Sequence, residues 1–248
     1  VKLPETVALV LAAGKGTRMR SDLAKVLYPI EGRPLIHLVL DAVEEAGFPR
    51  TVVIVGHQHE RVRETLRGRR VEFALQAEQL GTGHAVLCAA PLLEGFTGDV
   101  AVLAGDAPLI RGETLRQMMA HHREASATVT VLTALLDDPS GYGRVVRDAA
   151  GRKVVAIVED KDCTPEQRRI AEINSSMYAF SYPFLSGALG RIENRNRQGE
   201  YYLTDTVALA FAEGRAVEGI VVEDPAEVSG INTPDQLESA RLVMRGRA

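Results

Sequence analysis

Thr6-Val7-Ala8-Leu9-Val10-Leu11-Ala12-Ala13-Gly14-Lys15-Gly16-Thr17-Arg18-Met19 opens with an apolar run and ends in a glycine pair flanked by basic side chains. Such a run, closed by a turn, is the pattern of a strand buried on both faces, as in parallel sheets covered by helices. Residues 51–55 and 100–104 repeat it. Between the first two strands, Leu35, Leu38, Val39, Ala42 and Val43 recur at helical spacing over residues 34–46, with Pro34 at the start and Gly47 past the end. Residues 60–66, 83–90 and 114–124 predict further helices. Strand and helix alternate to about residue 110, which predicts a doubly wound, mostly parallel α/β sheet. After Ser126 the strand-like segments 128–136, 143–146, 153–159 and 176–180 are separated by turn residues and predict a mixed or antiparallel lobe inserted into the same domain. Helices at 184–192, 204–213 and 234–244 and a short strand at 217–222 follow. No linker or repeat divides the chain, so residues 1–248 read as one domain with halves of about 1–110 and 111–232 and a C-terminal helix at 233–248.

The composition narrows the function classes. Of 248 residues, 46% are hydrophobic and 25% charged, which is average for a globular chain and excludes disordered and fibrous classes. The apolar run of residues 7–13 is far short of the ~20 needed to cross a bilayer. Glu5 before it and Lys15, Arg18 and Arg20 after it do not suit a signal peptide. Two cysteines, Cys88 and Cys163, make no disulfide framework or metal motif, so a reducing, cytoplasmic location is expected. A net charge of −4 argues against nucleic-acid and membrane partners, and any anionic ligand must meet a local basic cluster.

Lys15, Arg18, Arg20 and Lys25 form that cluster, opposed nearby by Asp22. A glycine pair after a first parallel strand brings several backbone N–H groups close to a phosphate. A dinucleotide fingerprint would need a small residue at Met19, and a Walker loop would end in Gly-Lys-Ser/Thr where this loop has Gly16-Thr17-Arg18. Taken alone, the loop fits either a triphosphate site or a tight turn with a solvated basic edge.

The stretch from Leu11 to Met19 with Lys25 resembles the signature of the sugar-1-phosphate nucleotidyltransferases. Gln76-Ala77-Glu78-Gln79-Leu80-Gly81-Thr82-Gly83-His84-Ala85 is similar to one branch, the uridylyltransferase domains of bacterial bifunctional N-acetylglucosamine-1-phosphate uridylyltransferase/glucosamine-1-phosphate acetyltransferases. Gly105-Asp106-Ala107-Pro108, Gly141-Tyr142-Gly143-Arg144, Ile157-Val158-Glu159, Glu172-Ile173-Asn174, the segment 199–205 and Gly230-Ile231-Asn232 follow in that family's order, so the resemblance covers nearly the whole chain. It implies a Rossmann-like nucleotide-diphospho-sugar transferase fold with a nucleotide-binding first half and a sugar-binding second half. It also implies Mg²⁺-dependent transfer of a uridylyl group from UTP to N-acetylglucosamine 1-phosphate, giving pyrophosphate and UDP-N-acetylglucosamine, a precursor of peptidoglycan and lipopolysaccharide. A sugar phosphate is already an ionised nucleophile, so alignment and charge neutralisation suffice without a general base.

Residue by residue, the resemblance assigns nucleotide contacts to Leu11, Ala12, Ala13, Gly14, Lys25, Gln76, Gln79, Gly81, Thr82, Ala104 and Gly105. Arg18, Lys25 and Asp106 are its catalytic set, and Asp106 and Asn232 its Mg²⁺ contacts. Gly143, Glu159, Asn174, Tyr202, Thr204 and Asn232 fall on the sugar side. A side-chain amide at Gln76 or Gln79 offers both a donor and an acceptor to the uracil edge. Each position also has a plainer reading. Asp106 stands at a turn before Pro108, Asn232 at a helix start, Thr82 and His84 where a helix is capped, and Lys161 where it would pair with Glu159.

The chain departs from the family pattern in two places. Ala104 replaces the usual tyrosine before Gly-Asp, and Ser175-Ser176 replaces the usual Thr-Gly after Asn174. Glucose 1-phosphate as acceptor, or a catalytically silent nucleotide-sugar-binding module, are the competing readings, although the whole catalytic set is present. No hexapeptide repeat follows the last helix, so the acetyltransferase half is expected to be absent, or to be a covalent C-terminal partner if the chain is a piece of a longer protein.

Overall fold

The computed structural model describes residues 3, 5–16, 19 and 22–247. β1 (Thr6–Ala12) is followed by a small hairpin of β2 (Pro29–Ile30) and β3 (Arg33–Pro34) that leads into α1 (Leu35–Ala46). Gly47 closes α1 in the left-handed conformation at φ 85°, where a side chain would be strained. The alternation continues with β4 (Arg50–Val55), α2 (His59–Thr65), β5 (Glu72–Leu75), α3 (Thr82–Cys88), β6 (Asp99–Ala104) and α4 (Gly112–Glu124). β7 (Val129–Leu135), the hairpin strands β8 (Arg144–Arg147) and β9 (Val154–Val158), and the long β10 (Glu172–Ser181) come next. α5 (Tyr182–Leu189), α6 (Asp205–Ala212), β11 (Val217–Val221) and α7 (Pro234–Arg247) complete the chain.

β1 pairs in parallel with β4 on one side and β6 on the other. The sheet runs β11-β7-β10-β6-β1-β4-β5. The chain therefore winds outward from β1 through β4 to β5, then returns to the opposite side of β1 as β6, a reversal that opens a crevice at the carboxyl ends of the strands. The antiparallel character expected after residue 126 enters through β10, which pairs with both β6 and β7. The second half thus extends the central sheet, and only β8 and β9 branch off it.

β1 alternates between two buried layers. Ala8, Val10 and Ala12 pack with Ile36, Val39 and Val43 of α1 and Leu115 and Met118 of α4, whereas Val7 and Leu9 pack with Val86, Leu185 and Val207 from α3, α5 and α6. Each fully buried Val, Leu, Ile or Met among them contributes about 1.5–3 kcal/mol of apolar burial. A third cluster, with Met19, Ile30, Leu35, Leu109 and Ile231, packs against Leu237, Ala240 and Val243 of α7 and seats the loop before that helix.

Candidate active site

The ends of β1, β5 and β6 surround a cleft of about 510 Å³. Leu11, Ala12, Ala13 and Gly14 line it from β1 and its loop, Gln76, Gln79, Gly81 and Thr82 from beyond β5, and Ala104 and Asp106 from β6. These predicted positions are brought together with Lys25, Lys15 and Gly16. Gly105 stands behind the lining. Its N–H donates to Leu11 O at 3.0 Å, and a Cβ there would lie 2.5 Å from the same oxygen, so only glycine allows this approach. Arg18 lies outside the described residues.

Lys25 is positioned by Gln58, which donates to Asp22 O at 2.7 Å and accepts from Ala24 N at 3.0 Å. Val26 and Leu27 are buried and anchor the short turn that Lys25 begins. The ammonium pairs with the Asp106 carboxylate and donates to Asn232 Oδ1 at 2.9 Å. Ile231 N donates to Asp106 O at 2.9 Å, tying the loop before α7 to the end of β6. The start of α7 is capped by Gln236 and Thr233. Gln236 accepts from the backbone N–H groups of Asn232 and Thr233, while Thr233 Oγ1 accepts from Gln236 N, a reciprocal cap.

Asp106 and Asn232 thus aim two oxygens at one cation, here the protein's own ammonium. That donor set fits a small divalent ion, which takes few protein oxygens and completes its shell with substrate and water. Among the described residues no three His, Cys, Asp or Glu side chains gather as a metal cage.

The nucleobase side differs from expectation in its hydrogen bonding. Gln76 does not offer both a donor and an acceptor, because its nitrogen is engaged by Gly81 O at 3.0 Å and His84 Nδ1 at 3.1 Å. Gln79 likewise donates to Gln76 O at 3.1 Å. Gly81, at φ 111°, lies so close to Tyr201 that a Cβ would be 2.5 Å from its carbonyl oxygen. Thr82 makes no side-chain cap. Its hydroxyl accepts from Leu203 N at 3.0 Å and joins α3 to the loop before α6.

Glu159 and Tyr202 line a second cavity of about 390 Å³ with Asp162 and Asp205. A methyl group built on Gly143 would lie 3.5 Å from both Glu159 Oε2 and Asn174 Cβ, so these three predicted sugar-side positions converge. Thr204 is buried and donates to Glu159 Oε1 at 3.2 Å, whereas Tyr202 donates to Asp162 at 3.1 Å. Glu159 keeps some surface toward the cavity but is packed deeply enough that burial pushes its carboxyl above the usual range. Burial and then Asp162 do the same to Asp205. Lys161 does not pair with Glu159. It donates to Gln198 at 2.6 Å.

Six cleft residues lie outside the predicted set: Lys15, Gly16, Val26, Ala85, Ser176 and Glu200. Ser176, which the sequence offers only as a departure from the family pattern, holds φ 61° beside a break in the β10–β7 register. Glu200 sits in the motif of residues 199–205, which was the available signal. Cys88 and Cys163 line neither cavity, and burial raises both thiols.

A glycine-rich loop past the first strand, a lysine beside a carboxylate at the crevice and amide side chains deeper in define a nucleotide-binding α/β protein. Residues 8–170 match the MobA-like NTP transferase domain, and the chain belongs to that family. It is 50% identical over 246 residues to the bifunctional protein GlmU of Pelobacter propionicus, covering 99% of this chain and 53% of that protein. It is also 50% identical over 244 residues to that of Geobacter metallireducens, covering 98% and 51%. The chain spans about half the length of the curated relatives it matches. A UDP-glucose pyrophosphorylase complexed with UDP-glucose shares the fold, with TM-score 0.78 at 17% identity over 98% of this chain and 99% of the other. Among the described residues no helix is long and apolar enough to cross a membrane.

Proposed function

We propose that the chain transfers a uridylyl group from UTP to N-acetylglucosamine 1-phosphate, with Mg²⁺ held by Asp106 and Asn232, and that it works in the cytoplasm. The observation that carries this reading is the meeting of Lys25, Asp106 and Asn232 at one end of a cleft whose other end presents Gln76 and Gln79. The half-length match to GlmU proteins supports the uridylyl donor and the N-acetylated acceptor.

The loop after β1 offers backbone N–H groups to the phosphates, and Lys15 and Lys25 neutralise them. Lys25 stabilises charge as it builds on the transferring phosphoryl oxygens. Asp106 and Asn232 would hold Mg²⁺, which would supply positive charge to offset that of the phosphates. Gly143, Glu159 and Asn174 hold the sugar so that its phosphate approaches in line with the departing pyrophosphate. Thr204 keeps Glu159 oriented, and Tyr202 holds Asp162 beside it.

The test is pyrophosphate release by the purified chain with Mg²⁺, pairing UTP, TTP, CTP or GTP with N-acetylglucosamine 1-phosphate or glucose 1-phosphate. Release is expected to be fastest with UTP and the N-acetylated sugar. No release with any pair would overturn the reading, and preference for glucose 1-phosphate would change the acceptor.

A further inference from the structure

Gln76 is 3% exposed and lines the cleft where β5 ends, its backbone N–H held by Val55 O at 2.8 Å. Its side-chain nitrogen lies 3.0 Å from Gly81 O and 3.1 Å from His84 Nδ1. A carbonyl oxygen can only accept, so the amide edge facing Gly81 must be the NH₂ group. The second N–H then meets Nδ1, which must carry its lone pair, and the ring proton falls on Nε2, 3.9 Å from Cys88 Sγ. Both donors are engaged inside the protein. Among the described residues no hydrogen bond reaches Gln76 Oε1.

We propose that His84, acting with the Gly81 carbonyl, is a positioning residue that makes Gln76 a dedicated acceptor and so selects bases carrying an N–H at ring position 3. This rests on the uridylyl-transfer reading of the cleft. Uracil and thymine donate N3–H to such an oxygen, whereas cytosine presents a lone pair there and meets acceptor against acceptor. The terminal torsion of a glutamine is soft, so the plane of the amide is fixed only by its two bonds. With the Gly81 bond alone, the amide can turn and offer its freed N–H to cytosine N3. His84 lies behind Gln76, outside the residues that line the cleft, and touches no ligand space itself.

The test compares kcat/KM for UTP, CTP and TTP in the wild-type chain and in His84→Ala, His84→Gln and His84→Asn. Ala removes the acceptor, and Gln displaces it toward the former Nε2 position while filling a similar volume. Asn restores an oxygen near the former Nδ1. In the first two variants the UTP-to-CTP ratio is expected to fall about tenfold, while the UTP-to-TTP ratio stays within about twofold because both bases carry N3–H. Asn is expected to recover the UTP-to-CTP ratio to within about threefold of wild type. A merely structural role for His84 would lower all three nucleotides together. The proposal is overturned by an unchanged UTP-to-CTP ratio in a folded His84→Gln chain, by a parallel fall in both ratios, or by Asn behaving as Ala does. If the wild-type chain turns over no nucleotide, the transfer reading fails by itself, and the same ratios, taken from dissociation constants for UTP, CTP and TTP, decide the clamp.

Discussion

Lys25 lies between Asp106 and Asn232, at the position proposed above for a divalent ion. Lys25→Met removes that internal cation without shortening the side chain. Mn²⁺ affinity in the absence of nucleotide is expected to rise several-fold, as measured by electron paramagnetic resonance titration, while turnover falls about 100-fold or more because phosphate charge is no longer neutralised. Asp106→Ala should lose both Mn²⁺ binding and turnover with its circular dichroism intact, and near-normal rates would remove Asp106 from the metal site. Ser176 makes the opposite kind of statement about a single residue. It holds φ 61° within β10, a conformation that costs an L-residue about 1–2 kcal/mol. Glycine there releases the strain but gains freedom in the unfolded chain. Ser176→Gly is therefore expected to add a net of about 1 kcal/mol, a thermal shift of about 2–4 °C for a chain of this size, and an unchanged or lower midpoint would show that Ser176 is not strained.

At the scale of elements, the β8–β9 hairpin is fixed to the site by one buried cation. Arg144, 2% exposed, donates to Tyr142 O on the loop that carries Gly143 and to Asp160 Oδ1 at 3.2 Å just past Glu159. Arg144→Ala leaves a cavity and strips Asp160 of its partner. Asp160 can hydrate, since its side chain is 27% exposed, so the expected loss is about 2–3 kcal/mol, below the full penalty for an orphaned buried charge. Urea unfolding measures it, and a rise in acceptor KM should exceed any fall in kcat. Arg144→Met, which refills the volume, should lose less stability. The same hairpin shows what was legible in the sequence. β1, β4, β6 and α1 could be read because each is a long apolar run or a helical stripe. β5 is only four residues at the sheet edge, too short for a period to emerge. The first residues of β10 include buried polar side chains, Glu172 and Asn174, which mask its strand character. The phosphate loop and the Gln76 segment were legible because their functional residues are contiguous at strand ends. Glu200 from a distant loop and Ser176 from the irregular stretch of β10 reach the cleft only through folding, and Lys161 pairs with Gln198 rather than Glu159 because a surface lysine pairs with whatever lies in reach.

Across the whole molecule, the two cavities differ in charge in a chain whose net charge is only −4. The first cleft is lined by Lys15 and Lys25 with Asp106 and Glu200, whereas the second cavity sets Glu159, Asp162, Glu193 and Asp205 against Arg195. Glu159 and Asp205, whose carboxyls burial raises, respond to pH in the opposite direction from Glu172 and Glu72. Burial disfavours ionisation of Glu172, but hydrogen bonds from Arg147 and Thr133 outweigh it and hold the carboxyl below its usual range. The hydrogen bond from Arg50 does the same for Glu72. Their stabilisation is present above the ordinary carboxylate value and is lost as pH falls through the folded one. Glu159 has the reverse sign. Burial lets the folded protein keep it protonated to a higher pH than the unfolded chain does, so the fold loses stability as pH rises from the ordinary glutamate value toward the raised one. Glu159→Gln removes the titration while keeping an acceptor for Thr204. Thermal midpoints measured from pH 4 to pH 8 are expected to match wild type at the acid end, where Glu159 is protonated, and to exceed it increasingly toward pH 8, while acceptor affinity falls. Glu172→Gln should behave oppositely, less stable than wild type at pH 8 and converging with it in acid. If Glu159→Gln were destabilised at pH 8 and converged with wild type only in acid, the Glu159 carboxylate would be stabilising the fold, and the raised proton affinity assigned to it would be wrong.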